Sequence, residues 1–153
     1  MKRMKTRFLF LALTALLMTS CEGFIDDEDP ADKFVGLYSV KAHTTVEAFG
    51  FSDTRDSTGE LDLAKKSDNT LRTYGYFETT GTVSDGNTIN FLPCSGRGAD
   101  GSYNYQFESA YLMDDVLSII MTSSTHIYVE GVTLAARVRT EITATKVGHS
   151  RRR

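Results

Sequence analysis

The sequence predicts an all-β protein, an antiparallel meander of eight to nine strands. Residues 37–48 and 133–145 each alternate between apolar and polar residues with a period of two, which is typical of strands buried on one face. The 133 residues after position 20 include sixteen Thr and seven Tyr, residue types that favour strands. Short alternating segments separated by turn residues lie between the two long ones. Such a sheet hides its apolar face by closing into a barrel or, alternatively, by packing as a two-sheet β-sandwich.

Residues 1–20 have the composition of a secretory signal peptide. The first seven positions carry four basic residues and no acid, and residues 8–18 are apolar except for Thr14. This apolar run is about half the ~20 residues that a membrane-spanning helix needs. We therefore expect it to direct export rather than to span a membrane.

The junction Leu17-Met18-Thr19-Ser20-Cys21 resembles a bacterial lipobox, in which two small residues precede an acylated Cys. The resemblance implies that the chain is cut before Cys21 and that acyl chains such as palmitate are attached to it. Several acyl chains hold a protein durably on a bilayer. It also implies a lipid-anchored place in a Gram-negative outer membrane, facing the periplasm or the cell surface. The alternative is an ordinary signal peptide followed by a chance Cys.

The charge balance after residue 20 argues against a nucleic-acid partner. Residues 1–20 hold four of the 17 basic residues and none of the 20 acidic ones, so 13 basic residues remain and the formal charge is −7. Nucleic-acid binding needs a basic surface. With Cys21 acylated, Cys94 has no partner for a disulfide within the chain. The fold must then depend on its packed core.

The sequence divides into a signal peptide (1–20), an acidic tether (21–33), one β domain (34–148) and a basic tail (149–153). Residues 22–33 contain six acids and one Pro, a composition that disfavours packing. The tether is a spacer or, because residues 26–29 resemble the acidic cluster of surface-displayed lipoproteins, a sorting label. The tail is expected to be a frayed end that could also contact lipid phosphates.

The first and last strands have one apolar face each. In the first strand that face contains Tyr38, Val40, Ala42, Thr44 and Val46. In the last strand it contains Leu134, Ala136, Val138, Ile142 and Ala144, whereas Arg137, Arg139, Glu141 and Thr143 lie on the other face.

The strands between them are shorter. They are predicted at 59–64, 70–77, 81–84, 88–92, 103–111, 116–122 and 126–130, and residues 70–84 could instead form one bent strand. Asp85-Gly86 predicts a type I′ hairpin turn. Ser67-Asp68-Asn69 and Asp114-Asp115 are further turn candidates.

Gly36-Leu37-Tyr38 at the start of the first long strand is similar to the G-x-W signature of lipocalins, with Tyr in place of Trp. The resemblance implies a lipocalin-like barrel in which this aromatic closes one end beneath an Arg from the last strand. Arg137 and Arg139 lie in that strand, but the alternation directs both away from the apolar face. The domain thus resembles small lipocalin-like bacterial lipoproteins.

No pattern in the sequence predicts catalysis, a cofactor or a metal site. Residues 96–101 match G-x-G-x-x-G, but a dinucleotide fingerprint needs a following helix and the next residues alternate as a strand. Cys94 is assigned to a loop, residues 93–102, and His43 and His126 are expected to face solvent on different strands. Asp53, Asp56 and Glu60, assigned to the loop after the first strand, do not have EF-hand spacing.

The sequence therefore predicts a non-catalytic protein that binds a small apolar ligand or an envelope protein. Six residues of the apolar face are candidate ligand contacts: Tyr38, Val40, Ala42, Thr44, Phe107 and Ala136. Small residues on this face could leave a pocket, which bulky neighbours could equally fill. The alternative is a structural accessory lipoprotein of an envelope complex, with a filled core and no ligand.

Overall fold

A computed structural model describes residues 29–98 and 101–152, and it confirms the all-β prediction. One three-residue 3-10 turn, Asp32–Phe34, precedes nine strands. The strands are β1 (Gly36–Ala48), β2 (Phe51–Ser67), β3 (Thr70–Gly75), β4 (Thr80–Val83), β5 (Ile89–Phe91), β6 (Cys94–Gly98), β7 (Gly101–Met113), β8 (Val116–Val129) and β9 (Val132–Gly148). Within the described ranges, no helix has the length and apolar character needed to cross a membrane.

All nine strands belong to one antiparallel sheet, so the meander prediction is confirmed and the two-sheet sandwich is not formed. The strand order is β5-β4-β3-β2-β1-β9-β8-β7-β6, in which the first and last strands are neighbours. The sheet is strongly curled into a half-barrel. A bridge between Thr88 and Tyr111, with a hydrogen bond from Leu112 N to Asn87 O (2.8 Å), brings β5 against β7.

The predicted alternation in the first and last strands is confirmed. In β1, Tyr38, Val40 and Ala42 are buried, while Lys41 and His43 between and after them are exposed. In β9 the buried positions are Ala136, Val138, Thr140, Ile142 and Ala144. The core lies on the concave face of the sheet.

One end of the half-barrel is filled by apolar side chains. Leu61, Leu63, Leu71, Leu117 and Ile119 are at most 1 % exposed. The short strands β3, β4 and β5 cover only this end, because β3 pairs with β2 over residues 61–67 and not before them. We call it the closed end.

The segment before β1 plugs the closed end. Ala31 and Phe34 are completely buried, and the buried Tyr38 hydroxyl donates a hydrogen bond to Phe34 O (2.8 Å). Lys65 Nζ contacts Asp29 at 2.7 Å and so lowers the pKa of that carboxyl. The domain therefore begins earlier than the composition predicted, since residues 29–33 pack on it although they had been assigned to the tether.

Two of the three predicted turns are confirmed, because two-residue turns at Asp68-Asn69 and Asp114-Asp115 join β2 to β3 and β7 to β8. The third differs from the prediction. Asp85-Gly86 lies in a five-residue loop between the paired residues Val83 and Ile89, and Gly86 has a positive φ whereas Asp85 does not. The predicted hairpin therefore forms, but without a type I′ turn. Two-residue turns with positive φ at both positions occur instead at Phe49-Gly50 and Glu130-Gly131.

Several predicted strand boundaries are wrong. β2 begins at Phe51, so Asp53 and Asp56 lie in a strand rather than a loop. Cys94 opens strand β6 within the segment assigned to the 93–102 loop. The segments 116–122 and 126–130 form a single strand, β8.

The C-terminal tail packs on the closed end rather than fraying. Arg151 N donates to the buried Asp62 carboxylate (3.1 Å), and its guanidinium contacts Glu60 at 3.2 Å. The Arg152 guanidinium lies 4.1 Å from the centre of the Tyr74 ring. These contacts hold the tail against the outer face of β2 and β3.

Candidate binding cleft

The end opposite the plug is open because β3 leaves β2 at Gly75. This glycine has φ +99°, and a Cβ there would lie 2.5 Å from Glu60 O, so a side chain would disrupt the exit. The last backbone hydrogen bond to β2 on this side runs from Tyr76 N to Glu60 O (2.8 Å). Residues 51–59 of β2 consequently pair with β1 alone.

Rows of paired residues across the sheet mark where the filled core ends. Ala42, paired with Ile142, belongs to the last filled row. In the next row Thr44 pairs with Thr140, and their hydroxyl oxygens are 3.0 Å apart. Thr140 in turn pairs with Met121 on β8. Beyond this row the curled sheet encloses open space.

That space is a cleft of about 860 Å³. Its lining residues come mainly from β1, β2, β7, β8 and β9, and they are Thr44, Val46, Phe51, Asp53, Arg55, Ser57, Tyr76, Phe77, Tyr105, Met121, Thr125, His126, Tyr128, Val138 and Thr140. The volume falls within the range of about 300–1,000 Å³ that small-molecule sites occupy.

The floor of the cleft is apolar. Val138 and Met121 are buried there, and Phe77 joins a cluster of three aromatic rings with Phe91 and Phe107. The ring centres are separated by 5.1 to 5.6 Å, which is a favourable distance for tilted or edge-on contacts. Phe77 and Phe91 belong to the hydrophobic core, so the cluster is the part of the core that faces the cleft.

The wall formed by β2 is polar. Arg55 Nε donates to Asp53 (3.2 Å), and the Ser57 and Tyr76 hydroxyls are 2.6 Å apart. The Arg55 side chain is 73 % exposed, so its remaining donors can reach a bound molecule. A ligand in this cleft would meet an apolar floor on one side and hydrogen-bonding groups on the other.

The six candidate ligand contacts fall in different places. Thr44 lines the cleft, whereas Tyr38, Val40 and Ala42 lie within the filled core of the closed end. Phe107 belongs to the aromatic cluster beneath the floor. Ala136 lines a second groove, which the β1–β2 hairpin borders.

The polar cleft residues were missed because β2 carries no hydrophobic alternation at this end. Asp53, Arg55 and Ser57 lie on its concave side, opposite Val46, Thr44 and Ala42, but their neighbours are polar as well. The available signal was the Gly50 turn directly after β1, which predicts a returning strand.

The second groove has a volume of about 1010 Å³ and is lined by charged residues such as Glu47 and Arg137 as well as by Phe49 and Phe51. Register places Ser52, Glu47, Arg137 and Ser124 in one row across four strands, on the convex face. Arg137 and Arg139 both contact Glu108 on that face, so neither covers Tyr38 as an arginine does in lipocalins.

The titratable groups considered for chemistry lie apart. His43 is exposed and its Nδ1–H donates a hydrogen bond to the Asp56 carboxylate (2.7 Å), while His126 is exposed at the rim of the cleft. Burial raises the pKa of the Cys94 thiol, which opposes thiolate formation. Among the described residues, no group of three or more His, Cys, Asp or Glu side chains could hold a metal ion.

Strand β7 follows the glycine-rich segment, as the alternation predicted.

No protein-family model matches this chain, and a search of curated proteins returns no similar sequence. Inferences about function therefore start from the cleft itself.

Proposed function

We propose that the protein is a lipid-anchored envelope lipoprotein whose lipocalin-like half-barrel binds a small, largely apolar ligand in the cleft. The observation that carries the proposal is the cleft of about 860 Å³ above an apolar floor. Its polar β2 wall favours a ligand that has an apolar body and at least one hydrogen-bonding group. The proposal includes no chemical step.

The position of the plug supports the anchoring part of the proposal. Asp29, the first described residue, is held at the closed end by Lys65, whereas Phe51 and Tyr128 line the cleft near the opposite ends of their strands. The 13 residues of β1 extend about 40 Å at ~3.3 Å per residue. A chain acylated at Cys21 would thus hold the cleft away from the bilayer.

Native mass spectrometry of the full chain, purified in detergent from its own host, tests ligand binding. We expect a reproducible added mass on the wild type. Val138→Trp, which places a large ring on the cleft floor, should remove that mass, whereas Thr143→Trp on the exposed side of the same strand should retain it.

Two results would contradict ligand binding. One is a wild-type mass that matches the acylated chain alone, and the other is an added mass that Val138→Trp leaves in place. The first would favour a structural accessory lipoprotein.

The anchor is tested separately by Cys21→Ser. This substitution removes the thiol that would be acylated, so the protein should leave the membrane fraction. Membrane fractionation equal to that of the wild type would defeat the anchor without affecting the cleft.

One observation favours the accessory role as a second candidate. The hairpin tips at Phe49-Gly50 and Glu130-Gly131, with their flanks, expose apolar side chains, including Phe49 (94 % exposed) and Tyr128 (75 % exposed). Phe49 also has φ +36°, a conformation that a bulky residue adopts at a cost. Under this role, Phe49→Asn would raise thermal stability while reducing recovery of a partner in pull-downs from the envelope. Unchanged recovery would oppose it.

A further inference from the structure

Among the described residues, segment 51–59 of β2 is a long strand edge that is paired on one side only. β1 pairs with this segment on one side, and the part of β3 that would cover the other side turns away at Gly75. Ser52, Thr54, Asp56 and Thr58 are all exposed. A free edge of this length presents a row of backbone donors and acceptors to another strand.

The two-residue turn fixes which backbone groups point outward. Ala48 and Phe51 flank the turn and form the hydrogen-bonded pair, so odd-numbered residues of β2 bond to β1. Even-numbered residues then direct their N–H and C=O groups to the free side. Glu60 follows the same alternation of backbone directions, because its carbonyl points to the free side of β2 and accepts a hydrogen bond from Tyr76 N.

We propose that this edge pairs antiparallel with the same edge of a second copy of the chain, about a two-fold axis at Thr54. In this register Thr54 faces its own copy, and Ser52 faces Asp56 of the other chain. These positions all point outward, so six backbone hydrogen bonds can form. The contact is isologous and joins the two half-barrels into one continuous sheet.

Charge complementarity selects this register. It places Asp53 opposite Arg55 of the second copy, twice by symmetry, and Thr54 opposite Thr54, a favourable cross-strand pair. Registers centred on Asp53, Arg55 or Asp56 would each place a charge opposite its own copy.

The same two side chains already meet within one chain, where Arg55 Nε lies 3.2 Å from Asp53. Their backbones are two residues apart in the strand, roughly 6.6 Å, whereas opposite residues at a non-hydrogen-bonded site approach to about 4.5 Å. Dimerisation therefore exchanges two exposed local pairs, one in each chain, for two closer cross-strand pairs. In a monomeric protein, Asp53 and Arg55 would instead be charges that keep the β2 edge from pairing.

Charge reversal tests the pairing, with native mass spectrometry of the full chain released from detergent micelles to count copies. The wild type should give a dimer. Asp53→Arg and Arg55→Asp should each give a monomer, because each places like charges opposite one another. An equimolar mixture of these two variants should form a heterodimer, since every cross-strand pair is then complementary.

Thr54→Pro tests the backbone contribution. Its N–H points away from β1, so the far-ultraviolet circular dichroism spectrum should match the wild type while the dimer is lost. Thr54→Val is the matched control and should remain dimeric. Three results would each overturn the proposal. The wild type could be monomeric, the charge-reversal variants could still dimerise singly, or the added mass could be that of a smaller foreign peptide rather than of a second copy.

Discussion

The two ends of the half-barrel use the same strands for opposite purposes. On the concave face of β2, residues 61 and 63 are leucines with no solvent exposure, whereas residues 53, 55 and 57 on that face are Asp, Arg and Ser. The difference coincides with the extent of β3, which covers the leucines and ends before the polar residues. A covered interior position favours an apolar side chain, whereas an uncovered one can carry polar groups that a ligand could contact.

The largest expected loss of stability comes from a substitution in the closed end. Phe34→Ala empties a completely buried site beneath Tyr38 and should lower the free energy of unfolding by about 3–5 kcal/mol. Phe51→Ala at the cleft, where the side chain is 60 % exposed, should cost less than about 1 kcal/mol. Urea unfolding compares the two. Equal losses would mean that the ends do not differ in packing.

A substitution at Gly81 in β4 tests how tightly the closed end is packed. A Cβ at Gly81 would lie 2.5 Å from Ile89 Cγ2 and 2.6 Å from the Phe91 ring, so Gly81→Ala should destabilise the fold by about 1–3 kcal/mol through overpacking. A Cβ at Gly148 would meet no atom within 4 Å, so Gly148→Ala serves as the control. Thermal unfolding distinguishes them. A Gly81→Ala protein as stable as the control would show that the core has room.

A smaller effect is expected from the buried hydroxyl at the plug. Tyr38→Phe removes the hydrogen bond to Phe34 O and should cost about 1 kcal/mol near neutral pH. Burial, with a further contribution from Asp115, raises the pKa of Tyr38 well above its ordinary value. The folded state thus favours the neutral phenol.

The sign of the pH dependence follows from that shift. The contribution of the neutral phenol is complete below the ordinary tyrosine pKa of about 10 and is lost as pH rises toward the higher folded value. The wild type should therefore lose more stability above pH ~10 than Tyr38→Phe does. Parallel alkaline melting curves for the two proteins would contradict the assignment.

The sequence predicts the fold best where one face of a strand is buried. The alternations from Tyr38 to Val46 and from Ala136 to Ala144 correctly give β1, β9 and their concave faces. The start of β2 escapes prediction because no side of residues 51–58 is covered by apolar neighbours, so no period appears.

The candidate site was harder to predict for the same physical reason. A cleft lies where burial stops, and the burial pattern therefore identifies the core residues Val40 and Ala42 rather than the cleft wall at Asp53 and Arg55. Thr44, at the boundary between the two regions, is the candidate that both the pattern and the cleft include.

The most direct test of the contrast between the ends places one large side chain at two positions of β9. Val138 and Ile142 lie on the same face, four residues apart, the first on the cleft floor and the second in the filled core. Since the chain has no Trp, each variant carries a single reporter. Chemical denaturation should show Val138→Trp within about 1 kcal/mol of the wild type and Ile142→Trp destabilised by about 1–3 kcal/mol or more. Equal destabilisation of the two variants would mean that the cleft is not open space, and the account would fail.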